Sequence, residues 1–156
     1  ATAAGLAVLG RGFRAPRVVV EAHRRPQPPY DAGPEAALLG AHAMVDVSDG
    51  LVADLGHVAR ASSVRIDLDR DAFELAQPLL DVGAAVGADP LSFVLTGGDD
   101  HALAACFPVD VELPEHWRVV GAVLDDASDS PEESAWSLVT VGGSAVEGPG
   151  GHRHFG

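Results

Sequence analysis

AMVDVSDGLVADLGHVARASSVRIDLD, residues 43–69, changes its hydrophobic period twice, and those changes decide the fold class. It opens on AMVDV, a short apolar run of strand type. Leu51, Val52, Leu55, Val58 and Ala59 then recur at the spacing of one helix face. Val64, Ile66 and Leu68 finally alternate with Arg65, Asp67 and Asp69, the period of a half-buried strand. Asp54, His57 and Arg60 fall at a spacing of three on the other side of the helix and are expected to form a solvated face.

Working outward, AAGLAVL (3–9) is helical in composition, and RAPRVVVEAHRRP (14–26) reads as a second helix ended by Pro26. PQPPYDAG (26–33) is a stiff connector, because Pro26, Pro28 and Pro29 fix the backbone and lack N–H donors. GPEAALLGAHA (33–43) predicts a short helix starting near Pro34. On the other side, residues 71–87 read as helical with a break at Pro78, and DPLSFVL (89–95) opens like a short helix with Pro90 in its first turn. LTGGDDHALAACF (95–107) reads as a glycine turn feeding a strand. WRVVGAVLD (117–125) and WSLVTVGG (136–143) predict two more strands around the acidic, Ser-rich loop DDASDSPEES (125–134). Strands and helices without strict alternation indicate an α+β fold, a mixed β-sheet flanked by helices.

Composition narrows the function. The chain has 156 residues, 47% of them hydrophobic and 21% charged, which is the size and balance of one globular domain. Its formal charge of -13 argues against binding nucleic acid or an anionic membrane, since either would be repelled. All ten basic residues are arginine, so neither a P-loop lysine nor a Schiff base is available. Phosphate chemistry would have to rest on metal ions or on a partner domain. Cys106 is the single cysteine and lies in an apolar run, where it is expected to be a small hydrophobe. With no run of membrane-spanning length and no signal-like opening, a cytoplasmic protein is expected.

Two stretches could carry chemistry. In DVSDG (46–50), Ser48 or Asp49 could cap the following helix, which accounts for one residue and leaves Asp46 unexplained. Alternatively Asp46, Ser48 and Asp49 together offer hard oxygens suited to Mg²⁺, beside a helix N-terminus whose field favours phosphate. LTGGDDH (95–101) repeats the theme, with Asp99 and Asp100 directly after Gly97 and Gly98. It could equally be an acid-decorated loop. A cleft between the two stretches would hold metal-bound phosphates. GGHRHFG (150–156) reads as a flexible or docking terminal tail rather than a metal site, and His57 as a surface histidine.

Taken together these motifs resemble the C-terminal half of thiamine-monophosphate kinase, in the superfamily of aminoimidazole ribonucleotide synthetase, selenophosphate synthetase and a hydrogenase maturation protein. AMVDVSDGL is similar to that kinase's Ala-Met-(Ile/Val)-Asp-(Ile/Val)-Ser-Asp-Gly-Leu segment. RRPQPPYDAG resembles its lead-in, LTGGDDHAL its Gly-Gly-Glu-Asp-(Tyr/His) segment, and GGHRHFG its Gly-aromatic-x-His-Phe ending. Asp99 thus stands where the family usually has glutamate, and His152 where it has the closing aromatic.

The resemblance implies ATP-dependent, Mg²⁺-assisted phosphorylation of thiamine monophosphate to thiamine diphosphate. Asp46 and Asp49 would be Mg²⁺ ligands, Ser48 would contact the ATP phosphates, and Asp99 and His152 would lie at the substrate. It also implies that residues 1–30 are interdomain helices with a Pro-rich lead-in and 31–156 the C-terminal α+β domain. The family's N-terminal domain, with most metal ligands and the homodimer interface, is not in this sequence, so the chain alone is expected to be inactive. A related synthetase, or a non-catalytic assembly domain whose acidic motifs only cap helices, are the alternatives.

Overall fold

The two changes of period become one strand, one helix and a second strand. In the computed structural model, which describes residues 1–125 and 135–146, β1 spans Ala43–Asp46, α4 Leu51–Ser62 and β2 Arg65–Leu68. Before them come α1 (Thr2–Gly10), α2 (Arg17–Arg24) and α3 (Ala32–Leu38). After them come α5 (Gln77–Val86), α6 (Ser92–Leu95), β3 (Leu103–Cys106), β4 (Gly121–Leu124), β5 (Val139–Val141) and β6 (Ser144–Ala145). The α+β reading holds, with the strands divided between two sheets. β1 pairs antiparallel with β3, placing Asp46 opposite Leu103, and the other sheet runs β4-β2-β5-β6, with only β2 and β5 parallel.

The larger core lies between α4 and the four-stranded sheet. Val52, Leu55 and Ala59 of α4 meet Ile66 and Leu68 of β2 and Leu138 and Val139 at the start of β5. Inward Ile66 and Leu68 alternate with half-buried Arg65 and Asp67, as the period predicts. A second core forms where Ala4 and Val8 of α1 and Val19 and Val20 of α2 pack on Leu79, Val82 and Phe93. The first two helices therefore bury one face within this chain, while Leu6, Phe13 and Val18 stay exposed. No helix among the described residues is long and apolar enough to cross a membrane.

Several sequence expectations shift. Pro78 does not break a helix over 71–87; it sits in the first turn of α5, where its missing N–H is harmless, and a 3₁₀ turn at Arg70–Ala72 and extended backbone precede it. The third helix starts at Ala32, ahead of Pro34. WRVVGAVLD forms a strand only over Gly121–Leu124, and WSLVTVGG begins as a 3₁₀ turn, Ala135–Leu138, before β5. Most of the acidic loop, 126–134, and the ending that contains His152 lie outside the described residues.

Asp67 ties the central strand to its parallel neighbour. It pairs with Thr140 across β2 and β5, and its carboxylate accepts hydrogen bonds from the Thr140 hydroxyl and from the Gly143 N–H, at 2.9 Å, in the β5–β6 turn. These two bonds, the hydroxyl's first, hold the Asp67 carboxyl below its ordinary value.

Two stability predictions follow from this packing. Leu68, 1% exposed on the central strand, should cost about 2–5 kcal/mol when replaced by alanine. A loss well under ~1 kcal/mol in urea unfolding would mean that this core is not the cooperative one. Because Asp67 is depressed in the folded state, its stabilisation is present above the unfolded carboxylate value and is lost as pH falls through the lower folded one. Thr140→Val should therefore lower the urea midpoint at neutral pH and flatten its decline below about pH 4. An unchanged slope would refute the coupling.

Candidate functional site

β1 delivers the first acidic stretch to the chain's turn into α4. Asp46 is the last residue of the strand and is exposed, so its carboxylate keeps contact with solvent. No hydrogen bond or ion pair among the described residues holds its carboxylate. Ser48 and Asp49 are half-buried, and Gly50 is the residue before the helix, at φ 132° and ψ 145°. Only glycine takes that conformation without strain, and a Cβ there would also meet the Thr96 backbone at 3.0 Å.

The residue at the N-cap of α4 is Gly50, which has no side chain, rather than Ser48 or Asp49. The cap comes from within the helix. Asp54 reaches back over the first turn, and its Oδ2 accepts from the backbone N–H groups of Ser48, Asp49 and Gly50 at 2.9, 3.0 and 3.1 Å. The expectation that Asp54 faces solvent is therefore wrong: it is 4% exposed. A buried carboxylate is tolerable here because three donors and the positive end of the helix compensate its charge. His57 and Arg60 are exposed, as expected of that face.

The second acidic stretch comes to meet the first. The Asp99 N–H donates to the Ser48 carbonyl at 2.8 Å, the His101 N–H to Val47 at 2.9 Å, and the Val47 N–H to Ala102 at 2.8 Å. Gly98 lies so close that a Cβ on it would be 2.7 Å from the Ser48 oxygen. Asp99 and His101 both adopt positive φ, 61° and 51°, which costs energy in a non-glycine residue and is characteristic of functional loops. Asp99 is exposed at the crossing point. Its neighbour Asp100 turns away, accepting from the Thr2 N–H at 2.9 Å at the start of α1.

Asp46, Ser48, Asp49 and Asp99 thus share one edge of the molecule, joined through main-chain hydrogen bonds. They do not make a closed metal cage: among the described residues no group of three His, Cys, Asp or Glu is placed to hold a metal ion. Two clefts are formed elsewhere, one of about 300 Å³ lined by Asp67, Asp69 and Gly121 and one of about 520 Å³ between α2 and Asp100, and neither includes these four residues. The edge is an open rim. Its donor set of one or two carboxylate oxygens and a hydroxyl fits Mg²⁺, which keeps waters and completes its shell with substrate phosphates. Cys106, opposite Ala43 at the far end of β3 from Asp46, has its thiol pushed up by burial, which favours the less reactive protonated form.

Sequence reasoning missed Asp54 and the strain at Asp99 and His101. A signal for Asp54 was present, since an acidic residue among the inward Val52, Ala53 and Leu55 has to find donors inside.

No family model matches the chain. It is 44% identical over 156 residues to the thiamine-monophosphate kinase of Mycobacterium tuberculosis, covering 99% of this chain and 44% of that one. To the Corynebacterium glutamicum enzyme of the same name it is 36% identical over 107 residues, 69% of this chain and 32% of that one. Among solved structures, a ThiL complexed with AMPPCP and TMP superimposes with a TM-score of 0.79 at 29% identity, covering 99% of this chain and 48% of that one. Thiamine monophosphate kinase from Aquifex aeolicus gives 0.76 at 26% identity, with 93% and 47% covered. The chain spans under half the length of these Mycobacterium tuberculosis relatives. Over nearly its whole length the chain is therefore similar, in sequence and in fold, to part of the thiamine-monophosphate kinases.

Proposed function

We propose that this chain is the substrate- and metal-binding, C-terminal half of a thiamine-monophosphate kinase, which phosphorylates thiamine monophosphate with ATP to give thiamine diphosphate. The observation that carries the reading is the Ser48–Asp99 main-chain hydrogen bond, which sets both acidic loops on one rim. A ThiL with this fold is complexed with AMPPCP and TMP, an ATP analogue and a phosphate ester, the two kinds of ligand that the reaction needs.

The transfer is an in-line displacement. An oxygen of the thiamine phosphate forms a bond to the γ-phosphorus of ATP while the bond to the β–γ bridging oxygen breaks, and ADP leaves. No covalent enzyme intermediate is required, so positioning and charge neutralisation do the catalytic work. Asp46 and Asp49 would hold Mg²⁺, which when bound would neutralise phosphate charge. Ser48 offers its hydroxyl to a phosphate oxygen. Asp99 and His152 would lie at the substrate, His152 being outside the described residues. The formal charge of -13 supports a metal-dependent site, because a chain this acidic repels a polyphosphate without bound cations.

An N-terminal domain would then supply the remaining wall of the rim, with residues 1–30 between the two domains, and would form a homodimer. The chain by itself would then have little or no kinase activity. The half-buried lone cysteine fits a cytoplasmic, reducing setting.

In the full-length polypeptide, Asp46→Asn should lower kcat by about 100-fold or more and raise the Mg²⁺ concentration needed for half-maximal rate. Steady-state assay of ADP release across a Mg²⁺ titration checks this. Unchanged turnover and metal dependence would remove Asp46 from the metal site.

A further inference from the structure

A loop that handles phosphate near a helix start could do so in two ways: with its main-chain N–H groups, as a cradle, or with its side chains. The successive N–H groups of Ser48, Asp49 and Gly50 converge on one point, which is the geometry of an anion cradle. That point is already filled. Asp54 Oδ2 occupies it, buried, from the fourth residue of α4.

We propose that Asp54 is the positioning residue of the phosphate- and metal-handling loop, an internal carboxylate that takes the place a phosphate oxygen would have in a main-chain cradle. The inference rests on the kinase reading and deepens it. With the N–H groups turned inward, the loop presents only the side chains of Asp46, Ser48 and Asp49 to the nucleotide, so an anion is met there through a metal ion and a hydroxyl. The same anchor fixes the far side of the loop. Turning three N–H groups towards Asp54 leaves the Ser48 carbonyl facing outward, where it accepts from the Asp99 N–H at 2.8 Å. Gly50 against Thr96, and Gly98 against Ser48, allow no side chain between the two loops. Asp54 therefore sets the spacing between the metal-binding and the substrate-binding loops without touching either ligand.

The test is Asp54→Asn in the full-length polypeptide, a substitution that keeps the volume and one acceptor oxygen but removes the charge that binds three donors at once. At a temperature where the variant is fully folded, kcat should fall at least tenfold and the Mg²⁺ concentration for half-maximal rate should rise. The amides of Ser48, Asp49 and Gly50 should exchange with solvent at least tenfold faster, while those of Ile66 and Leu68 in the central strand stay as they were. A role confined to stability would speed exchange throughout the core and leave kcat and the Mg²⁺ requirement unchanged, which overturns the proposal.

The exchange measurement needs no turnover, so it separates this proposal from the kinase reading. If the wild-type polypeptide proves inactive but its three amides are protected through Asp54, the reading fails and the anchor stands. If they exchange freely in the wild type, the anchor is wrong whatever the activity. Should Asp54→Asn not fold, Asp54→Ala with added formate replaces it. Formate-dependent restoration of folding and of protection at residues 48–50 supports the proposal, and indifference to formate contradicts it.

Discussion

One buried carboxylate bound to three main-chain N–H groups holds this molecule's functional edge in shape. Asp54 sits where a helix begins, in the field that favours negative charge, and closes the loop that precedes the helix onto the helix itself. Charge-assisted hydrogen bonds in a dry setting are strong, and leaving their partners unpaired is expensive, so the loop has few alternatives. From that constraint the rest follows in order: the turn at Gly50, the outward Ser48 carbonyl, and the docking of residues 97–101 against it.

The two hydrophobic cores divide the labour. The one between α4 and the four-stranded sheet fixes the helix that carries Asp54, and so fixes the anchor relative to the sheet. The one beneath α1 and α2 steadies Phe93 of α6, the helix that leads into Gly97 and Gly98. α6 joins the two cores, with Phe93 in one and Leu95 in the other, and the short β1–β3 ladder, with Asp46 opposite Leu103, ties the acidic loops together. Placing side chains on loops supported by packed elements gives them precise positions at the molecule's edge.

Much of this was legible in the sequence. Period 2 in VRIDLD and period 3.6 in LVADLGHVA gave β2 and α4, because burial of one face imposes those spacings whatever the tertiary contacts. Asp46, Ser48, Asp49 and Asp99 were recognisable as an oxygen-rich set, and they do share one edge. Their meeting was not legible, because the β1–β3 pairing and the Ser48–Asp99 bond join segments remote in sequence. Asp54 was misread for a related reason. A charged residue on a helix is ordinarily solvated, and its three donors exist only once Gly50 has turned the chain. The 3₁₀ start of WSLVTVGG and the shortness of β4 likewise reflect tertiary packing that local propensity does not encode.

The central claim is that the two acidic loops form a single metal and phosphate site. Its most direct test is paramagnetic: Mn²⁺ with an ATP analogue, titrated into the ¹⁵N-labelled full-length polypeptide, followed by amide resonance broadening. Simultaneous broadening of Ser48, Asp49 and Asp99 at substoichiometric Mn²⁺, with Val139 in the buried sheet untouched, is the predicted result. Broadening at one loop while the other stays sharp would contradict it.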